Sequence, residues 1–119
     1  SSRERLFEAM AEALTALVTD PEDVRPVEPV PVHCEAPDDA VLLTDWLNAL
    51  IYEMAARKML FGDWQVSIEG HVLDAVAKGE AVDRARHKPV VEVKGATYTA
   101  LSVRQDSAGT WHGQCIVDV

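Results

Sequence analysis

The sequence predicts an α+β fold in which an antiparallel β-sheet of about five to six strands packs against two α-helices. Two segments repeat apolar residues at helical spacing, whereas several shorter segments alternate apolar and polar residues between tight-turn residues. The chain has 119 residues, and 48% of them are hydrophobic. This length and composition suffice for one hydrophobic core, so we predict a single domain over residues 1–119.

The two predicted helices lie in the first half of the chain. The first covers residues 1–18, where Ser1 and Glu4 have the spacing of a capping box. The second covers residues 40–59, and either Asp38 or Asp39 caps its first turn. Apolar side chains at every third or fourth position give each helix one face that packs on the sheet.

Five strands are predicted, and proline and turn residues place them. The earliest strand carries Pro26, Pro29 and Pro31, which lack main-chain N–H donors, so it lies at a sheet edge or is broken. Gly70 and His71 form a tight turn between the next two strands, and residues 106–109 form the turn between the last two. Both of these pairs are therefore predicted hairpins. The five strands cover residues 24–35, 65–69, 72–78, 91–105 and 111–119.

The charge of the chain is strongly negative, with a formal net charge of −9 and a sequence pI near 4.7. This balance disfavours direct binding of nucleic acid, because contacts to phosphates need a basic patch. It favours a basic partner or a cation, although solubility alone accounts for it equally well.

Cysteine usage and hydropathy favour a cytoplasmic protein. Cys34 and Cys115 are too few for a disulfide framework in a chain of this size. The first residues show no signal-peptide pattern, and no apolar run approaches the roughly 18 residues of a membrane span. We therefore predict free thiols, a cytoplasmic location and no membrane association.

Three stretches of the sequence resemble one protein family, the archeases. Residues 44–52, T-D-W-L-N-A-L-I-Y, resemble the D-W-L-N-E-L-L-Y helix of that family. Residues 87–98, H-K-P-V-V-E-V-K-G-A-T-Y, resemble its H-x-x-x-x-E-V-K-A-x-T-Y segment, and residues 115–119 resemble its closing aliphatic-Asp-Ile end. The spacing of the hairpin over residues 61–70 agrees as well, so the resemblance covers nearly the whole chain.

The resemblance implies a function as an accessory protein rather than as an enzyme. Archeases are small cytosolic helpers of the RtcB-type RNA ligase, which joins RNA ends bearing a phosphate to ends bearing a hydroxyl. That ligase first forms a guanylate on its own histidine with GTP and divalent metal. The helper promotes this guanylylation and multiple turnover in tRNA splicing and RNA repair. The implied partner is therefore the ligase, with no direct contact to nucleic acid.

The resemblance also implies a divalent metal site, with Ca²⁺, Mg²⁺ or Mn²⁺ as the ion. Archeases use an N-terminal Asp, the Asp near the C-terminus and the final residue, and Asp118 and Val119 match the last two. The first ligand belongs to an H-T-A-D segment on a strand before the first helix. The sequence from Ser1 onward contains no such segment, either because it is trimmed or because this version has lost the strand. On spacing alone, Asp118 beside a terminal carboxylate suits a hard cation or is simply a solvated terminus.

Three further residues are candidate contacts to the partner: Glu92, Lys94 and His87. Glu92 and Lys94 share one strand face, opposite Val93, and an exposed pair on a solvated face is the alternative. Gly95 leaves room for a close approach or a bulge. His87 ends a polar loop, although a lone loop histidine is usually neither a ligand nor a contact.

One edge of the second helix carries polar residues beside its apolar stripe. Asp45, Asn48 and Tyr52 follow this edge. We interpret Asn48 as bonding locally and Tyr52 as reaching out from the core, with partner contact as the alternative. Thr97 and Tyr98 on the facing strand are interpreted as structural.

An alternative function is an archease-fold module that binds a small ligand or a protein and has no ligase-activating role. The missing H-T-A-D segment favours it. If a first strand is absent, a sheet edge is left open, and that edge can pair with a second copy of the chain to give a homodimer.

Overall fold

The computed structural model describes residues 2–119, with the backbone alone for Thr99, and confirms the α+β class. The strands form two antiparallel sheets rather than one, a three-stranded sheet in the order β1-β3-β2 and a two-stranded sheet of β4 and β5. The helices are α1 (Arg3–Val18), α2 (Asp39–Arg57) and the short α3 (Arg84–His87), and a 3₁₀ turn covers Pro21–Asp23. The strands are β1 (Glu28–Glu35), β2 (Met59–Glu69), β3 (Val72–Ala81), β4 (Gly95–Gln105) and β5 (Trp111–Asp118).

Side-chain caps begin the two long helices. Ser2 caps α1, and its hydroxyl oxygen accepts a hydrogen bond from the N–H of Arg5. The predicted cap at Ser1 lies outside the described residues. Asp38, rather than Asp39, caps α2 by accepting from the N–H of Val41.

The end of α2 differs from the prediction. Lys58 adopts the left-handed conformation, with φ of 53°, and this ends the helix without a glycine. β2 begins at the next residue and runs over 11 residues, so it starts six residues before the predicted 65. A bulge between Phe61 and Asp63 lets this long strand stay in register with β3.

Strand β1 lies at a sheet edge, as its prolines predict. The N–H of Ala36 donates to His71 at 3.2 Å, which continues the register of β1 with β3. Even-numbered residues of β1 therefore form main-chain hydrogen bonds with β3. Pro29 and Pro31 are odd-numbered, so the positions at which they lack an N–H face the open side of the sheet.

The core lies between the sheets and the two long helices. α1 packs mainly on β2, whereas α2 packs mainly on β4. Phe7, Trp46 and Phe61 are fully buried there, and the indole N–H of Trp46 donates to the main-chain oxygen of Phe7 at 3.0 Å. That bond satisfies a polar group that burial would otherwise leave unpaired.

The hairpin of β4 and β5 begins later than predicted. Residues 91–94 alternate like a strand but belong to neither sheet, so β4 starts at Gly95. The register of the hairpin shifts between Thr97 and Ser102, and Ala100 within this bulge has φ of 54°. No helix within residues 2–119 is long and apolar enough to cross a membrane.

Candidate functional site

The last residues of β5 lie beside the segment that precedes β4. Gly95 is the cross-strand partner of Asp118, and the N–H of Lys94 donates to the main-chain oxygen of Asp118 at 2.8 Å. The structure therefore brings together Glu92, Lys94, Asp118 and Val119, four of the five predicted site residues. We call these four residues the hairpin-end surface.

The side chains of the hairpin-end surface face solvent. Glu92 and Lys94 are exposed, whereas Val93 between them is buried at 7% exposure. Asp118 is exposed as well, and Val119 is 62% exposed. Two charges of opposite sign and a carboxylate are thus available to a second molecule at this end of the hairpin.

Asn48 of α2 holds the first part of β4 in place. Its Oδ1 accepts from the N–H of Ala96 at 2.8 Å, and its Nδ2 donates to the main-chain oxygen of Ala96 at 3.0 Å. The carboxamide therefore acts as a neighbouring strand would at this edge. The predicted local bonding of Asn48 is wrong, because its partner lies on another element.

The sequence suggested that Gly95 allows a close approach or a bulge, and neither occurs at this residue. A Cβ at this position would meet Asn48 Oδ1 at 3.6 Å, an ordinary contact distance. The bulge lies further along the strand, between Thr97 and Ser102.

A second contact joins α2 to β4 near the hairpin-end surface. The hydroxyl of Tyr98 donates to Asp45 Oδ1 at 2.6 Å, and this hydrogen bond raises the pKa of the Tyr98 hydroxyl. Tyr52 follows on the same edge of α2 and is 68% exposed, so its predicted place at the border of the core is wrong.

His87 lies inside the molecule rather than on the surface. Its Nδ1 accepts from the N–H of Asp83 at 2.9 Å, so Nε2 carries the ring proton and donates to Glu80 Oε2 at 3.0 Å. The Thr19 hydroxyl donates to the main-chain oxygen of His87 at 2.5 Å. Both ring nitrogens are engaged within the chain and the residue is 3% exposed, so His87 does not present a contact for a partner.

Glu80 is the centre of the contacts around His87. Its carboxylate accepts from Arg86 Nη2 at 2.5 Å and from the N–H of Arg25 at 2.7 Å, in addition to His87. These donors, Arg86 foremost, lower the pKa of Glu80 to about 2. No sequence pattern indicates this cluster, because its members come from the segment before β1, the end of β3 and the polar loop that follows β3.

A sequence profile of the archease protein family matches residues 1–119. The chain belongs to the archease family. A protein archease of Methanopyrus kandleri is 36% identical over 120 residues, which cover 98% of this chain and 85% of that protein. A protein archease of Thermococcus gammatolerans is 34% identical over 123 residues, which cover 100% of this chain and 87% of that protein.

A solved structure supports the same assignment. The solution structure of protein 1598 from Methanobacterium thermoautotrophicum matches with a TM-score of 0.81 and 25% sequence identity. The match covers 98% of this chain and 84% of that chain.

Two of the stretches that carry the archease resemblance contact each other in the fold. Asp45 and Asn48 belong to the stretch at residues 44–52, and they bond Tyr98 and Ala96 in the stretch at residues 87–98. The third stretch, residues 115–119, pairs with the same strand. These segments therefore form one assembly that ends at the hairpin-end surface.

The donors near Asp118 do not complete a metal site on their own. Within residues 2–119, no three His, Cys, Asp or Glu side chains converge so that they could hold a metal ion. Asp118 offers one carboxylate, whereas a hard cation such as Ca²⁺ takes about six to eight oxygen ligands. The predicted metal ligands Asp118 and Val119 thus stay a prediction.

Proposed function

We propose that this archease activates an RtcB-type RNA ligase as an accessory protein and is not itself an enzyme. It would promote guanylylation of the ligase and multiple turnover in tRNA splicing and RNA repair. Membership of the family supports this proposal, together with the exposure of Glu92, Lys94 and Asp118 side by side at the end of the hairpin.

The proposed mechanism is docking of the hairpin-end surface against the ligase. A ligase that holds RNA needs a positively charged channel, and the net charge of −9 on this chain favours association with such a surface. Asn48 and Asp45 keep Ala96 and Tyr98 against α2, so the docking residues adjoin a strand that the helix supports. The same negative charge disfavours direct contact with RNA.

The proposed docking does not involve a bound metal ion. Ca²⁺, Mg²⁺ or Mn²⁺ bound at Asp118 would need oxygen ligands beyond those that residues 2–119 bring together. This chain would instead place the Asp118 carboxylate and the Lys94 ammonium at the contact with the ligase.

Single-turnover guanylylation of a cognate ligase tests the proposal. The unmutated protein should accelerate formation of the ligase guanylate, and Asp118→Ala should lose about tenfold or more of that acceleration. Asp63→Ala, which removes an exposed aspartate from β2, is the matched control and should behave like the parent. Absence of acceleration by the unmutated protein would exclude the activator function, whereas equal acceleration by all three proteins would exclude a part for Asp118.

A second candidate function is an archease-fold module that binds a ligand or a protein without activating a ligase. A groove of about 800 Å³ beside the C-terminal half of α2 favours this alternative. The guanylylation assay separates the two functions, because a pure binding module leaves the guanylylation rate unchanged.

A further inference from the structure

The groove lies between α2 and residues 89–93, and its floor is apolar. The floor side chains come from four parts of the chain and all have at most 7% exposure. They are Val18, Ile51, Met59, Leu60 and Val93. The volume of about 800 Å³ is ample for several side chains of a bound segment.

Two positively charged side chains lie at the mouth of the groove. Lys58 and Arg84 line it and are exposed, and no ion pair engages either side chain within residues 2–119. The backbone of Lys58 is fixed, because its carbonyl accepts from the N–H of Val82 at 2.9 Å. Glu92 is the single acidic residue among the described lining residues, so the mouth has a net positive charge on a chain whose net charge is −9.

One wall of the groove is the main chain of residues 89–93, which belongs to neither sheet. The N–H groups at its two ends are bonded, from Val90 to Val18 at 3.0 Å and from Lys94 to Asp118 at 2.8 Å. Between these bonds, within the described part of the chain, no partner accepts from the N–H of Val91 or Val93, two residues that alternate with the bonded ones. Val90 is 76% exposed on this wall. The wall thus offers main-chain donors and an apolar side chain to an added strand.

We propose that this groove binds an extended acidic peptide of a partner protein. An aliphatic side chain of the peptide enters the apolar floor, and a neighbouring carboxylate pairs with Lys58 and Arg84. The main chain of the peptide bonds to residues 91–93 as a short added strand. The inference does not depend on ligase activation, since the groove shares only Glu92 with the hairpin-end surface and binds its occupant by a different chemistry.

The lining disfavours two other occupants. Among the residues that the structure describes, no aromatic side chain lines the groove, so a nucleotide base would find no ring to stack on. A basic peptide would meet two cations and a single carboxylate at the mouth. An acidic, aliphatic segment is the occupant that matches both the charge and the floor.

Amide NMR titration in about 0.15 M salt, at which long-range charge effects are screened, tests the proposal. The probe is an acetylated hexapeptide of alternating leucine and aspartate, and the matched peptide has lysine in place of aspartate. The acidic peptide should give saturable shifts at residues 58–60 and 91–93. The lysine peptide should bind at least about tenfold more weakly.

Three variants locate the contact. Lys58→Glu with Arg84→Glu reverses the charge of the mouth and should weaken binding of the acidic peptide about tenfold or more. Ala55→Trp fills the groove from an exposed position on α2 and should weaken binding of the acidic peptide by a similar factor. Arg5→Glu is the charge control, since it lies about 20 Å along α1 from Val18, and it should bind like the parent.

The outcomes separate the proposal from its competitors. Saturable shifts with the parent and with Arg5→Glu, together with at least about tenfold weaker binding by the groove variants, would support an acidic peptide. Equal binding of the two peptides, or no saturable shift with the acidic one, would overturn the proposal. Shifts at the same residues with sodium octanoate but not with the acidic peptide would also overturn it, in favour of a small amphiphile. None of these results bears on guanylylation, so the two proposals can fail separately.

Discussion

At the scale of single residues, Asn48 decides how β4 is held. The N–H and C=O of Ala96 point away from β5, and a carboxamide carries both an acceptor and a donor at the spacing that they need. The sequence shows an asparagine beside the apolar stripe of α2, but its partner lies 48 residues further along the chain. A pattern confined to one helix cannot predict such a contact.

Asn48→Ala should lower the free energy of unfolding by about 2–3 kcal/mol, because it leaves the main chain of Ala96 without partners. Urea denaturation measures the change, and amide NMR should show shifts at residues 94–97 and 117–118. Tyr52→Ala, on the same helix edge and 68% exposed, should stay within about 0.5 kcal/mol of the parent. Equal effects of the two substitutions would contradict the function assigned to Asn48.

Glu80 makes the stability of this archease sensitive to acid. Its pKa in the folded protein is about 2, below the ordinary value of 4.5, so the unfolded chain takes up a proton that the folded protein does not hold between these values. The stabilisation from Glu80 is therefore complete above pH 4.5 and is lost as the pH falls toward 2.

Glu80→Gln should reduce this acid dependence and cost about 2 kcal/mol at neutral pH, since Arg86 and His87 lose a charged acceptor. Thermal or urea unfolding from pH 7 to pH 2 measures both effects. Glu12→Gln, at an exposed position on α1, serves as the control and should keep the slope of the parent. A Glu80→Gln protein whose stability falls with acid as steeply as the parent would rule out this origin of the slope.

At the scale of elements, the two sheets differ in how their edges are protected. The open side of β1 carries Pro29 and Pro31, which cannot donate to an added strand. The open side of β5 has no proline. Because Ala96 turns its N–H and C=O to Asn48, its cross-strand partner Val117 turns its own toward that open side. Among the described strands, β5 pairs with β4 alone.

The edge of β5 is where the predicted homodimer would form. Light scattering should then show the weight-average mass rising with protein concentration. Val117→Pro removes an N–H that the hairpin does not use and should give a monomer with an unchanged circular dichroism spectrum. A monomeric parent at all concentrations would contradict the dimer prediction.

The sequence predicts some elements well and others poorly, for physical reasons. The helices, the edge position of β1 and both hairpins follow from apolar spacing, from proline chemistry and from turn residues. The early start of β2 does not, because residues 59–61 continue an apolar helical pattern and Lys58 ends the helix without a glycine. The division into two sheets rests on pairings such as β1 with β3, whose partners are distant along the chain.

For the candidate site, the sequence predicts neighbours better than it predicts burial. The turn at residues 106–109 places Asp118 near the start of β4, but the bulge between Thr97 and Ser102 shifts the register, so that Gly95 rather than Tyr98 faces Asp118. The place of His87 does not follow from its neighbours, since Glu80, Asp83 and Thr19 bury it through contacts from β3, a loop and α1.

At the scale of the whole molecule, the fold brings the stretches at residues 44–52, 87–98 and 115–119 into contact with one another. α2 supports β4 through Asn48 and Asp45, and β5 closes the hairpin with Asp118 beside Lys94. The three-stranded sheet and α1 supply the remaining core. We therefore expect the ligase to contact the hairpin-end surface and to leave the outer face of the three-stranded sheet uncovered.

Hydrogen–deuterium exchange of this archease with and without a cognate RtcB-type ligase tests this claim most directly. Exchange at residues 92–95 and 116–119 should be slower in the presence of the ligase. Exchange along β1 and at the turn between β2 and β3 should be unchanged. Protection confined to the three-stranded sheet, with residues 92–95 and 116–119 unaffected, would contradict it.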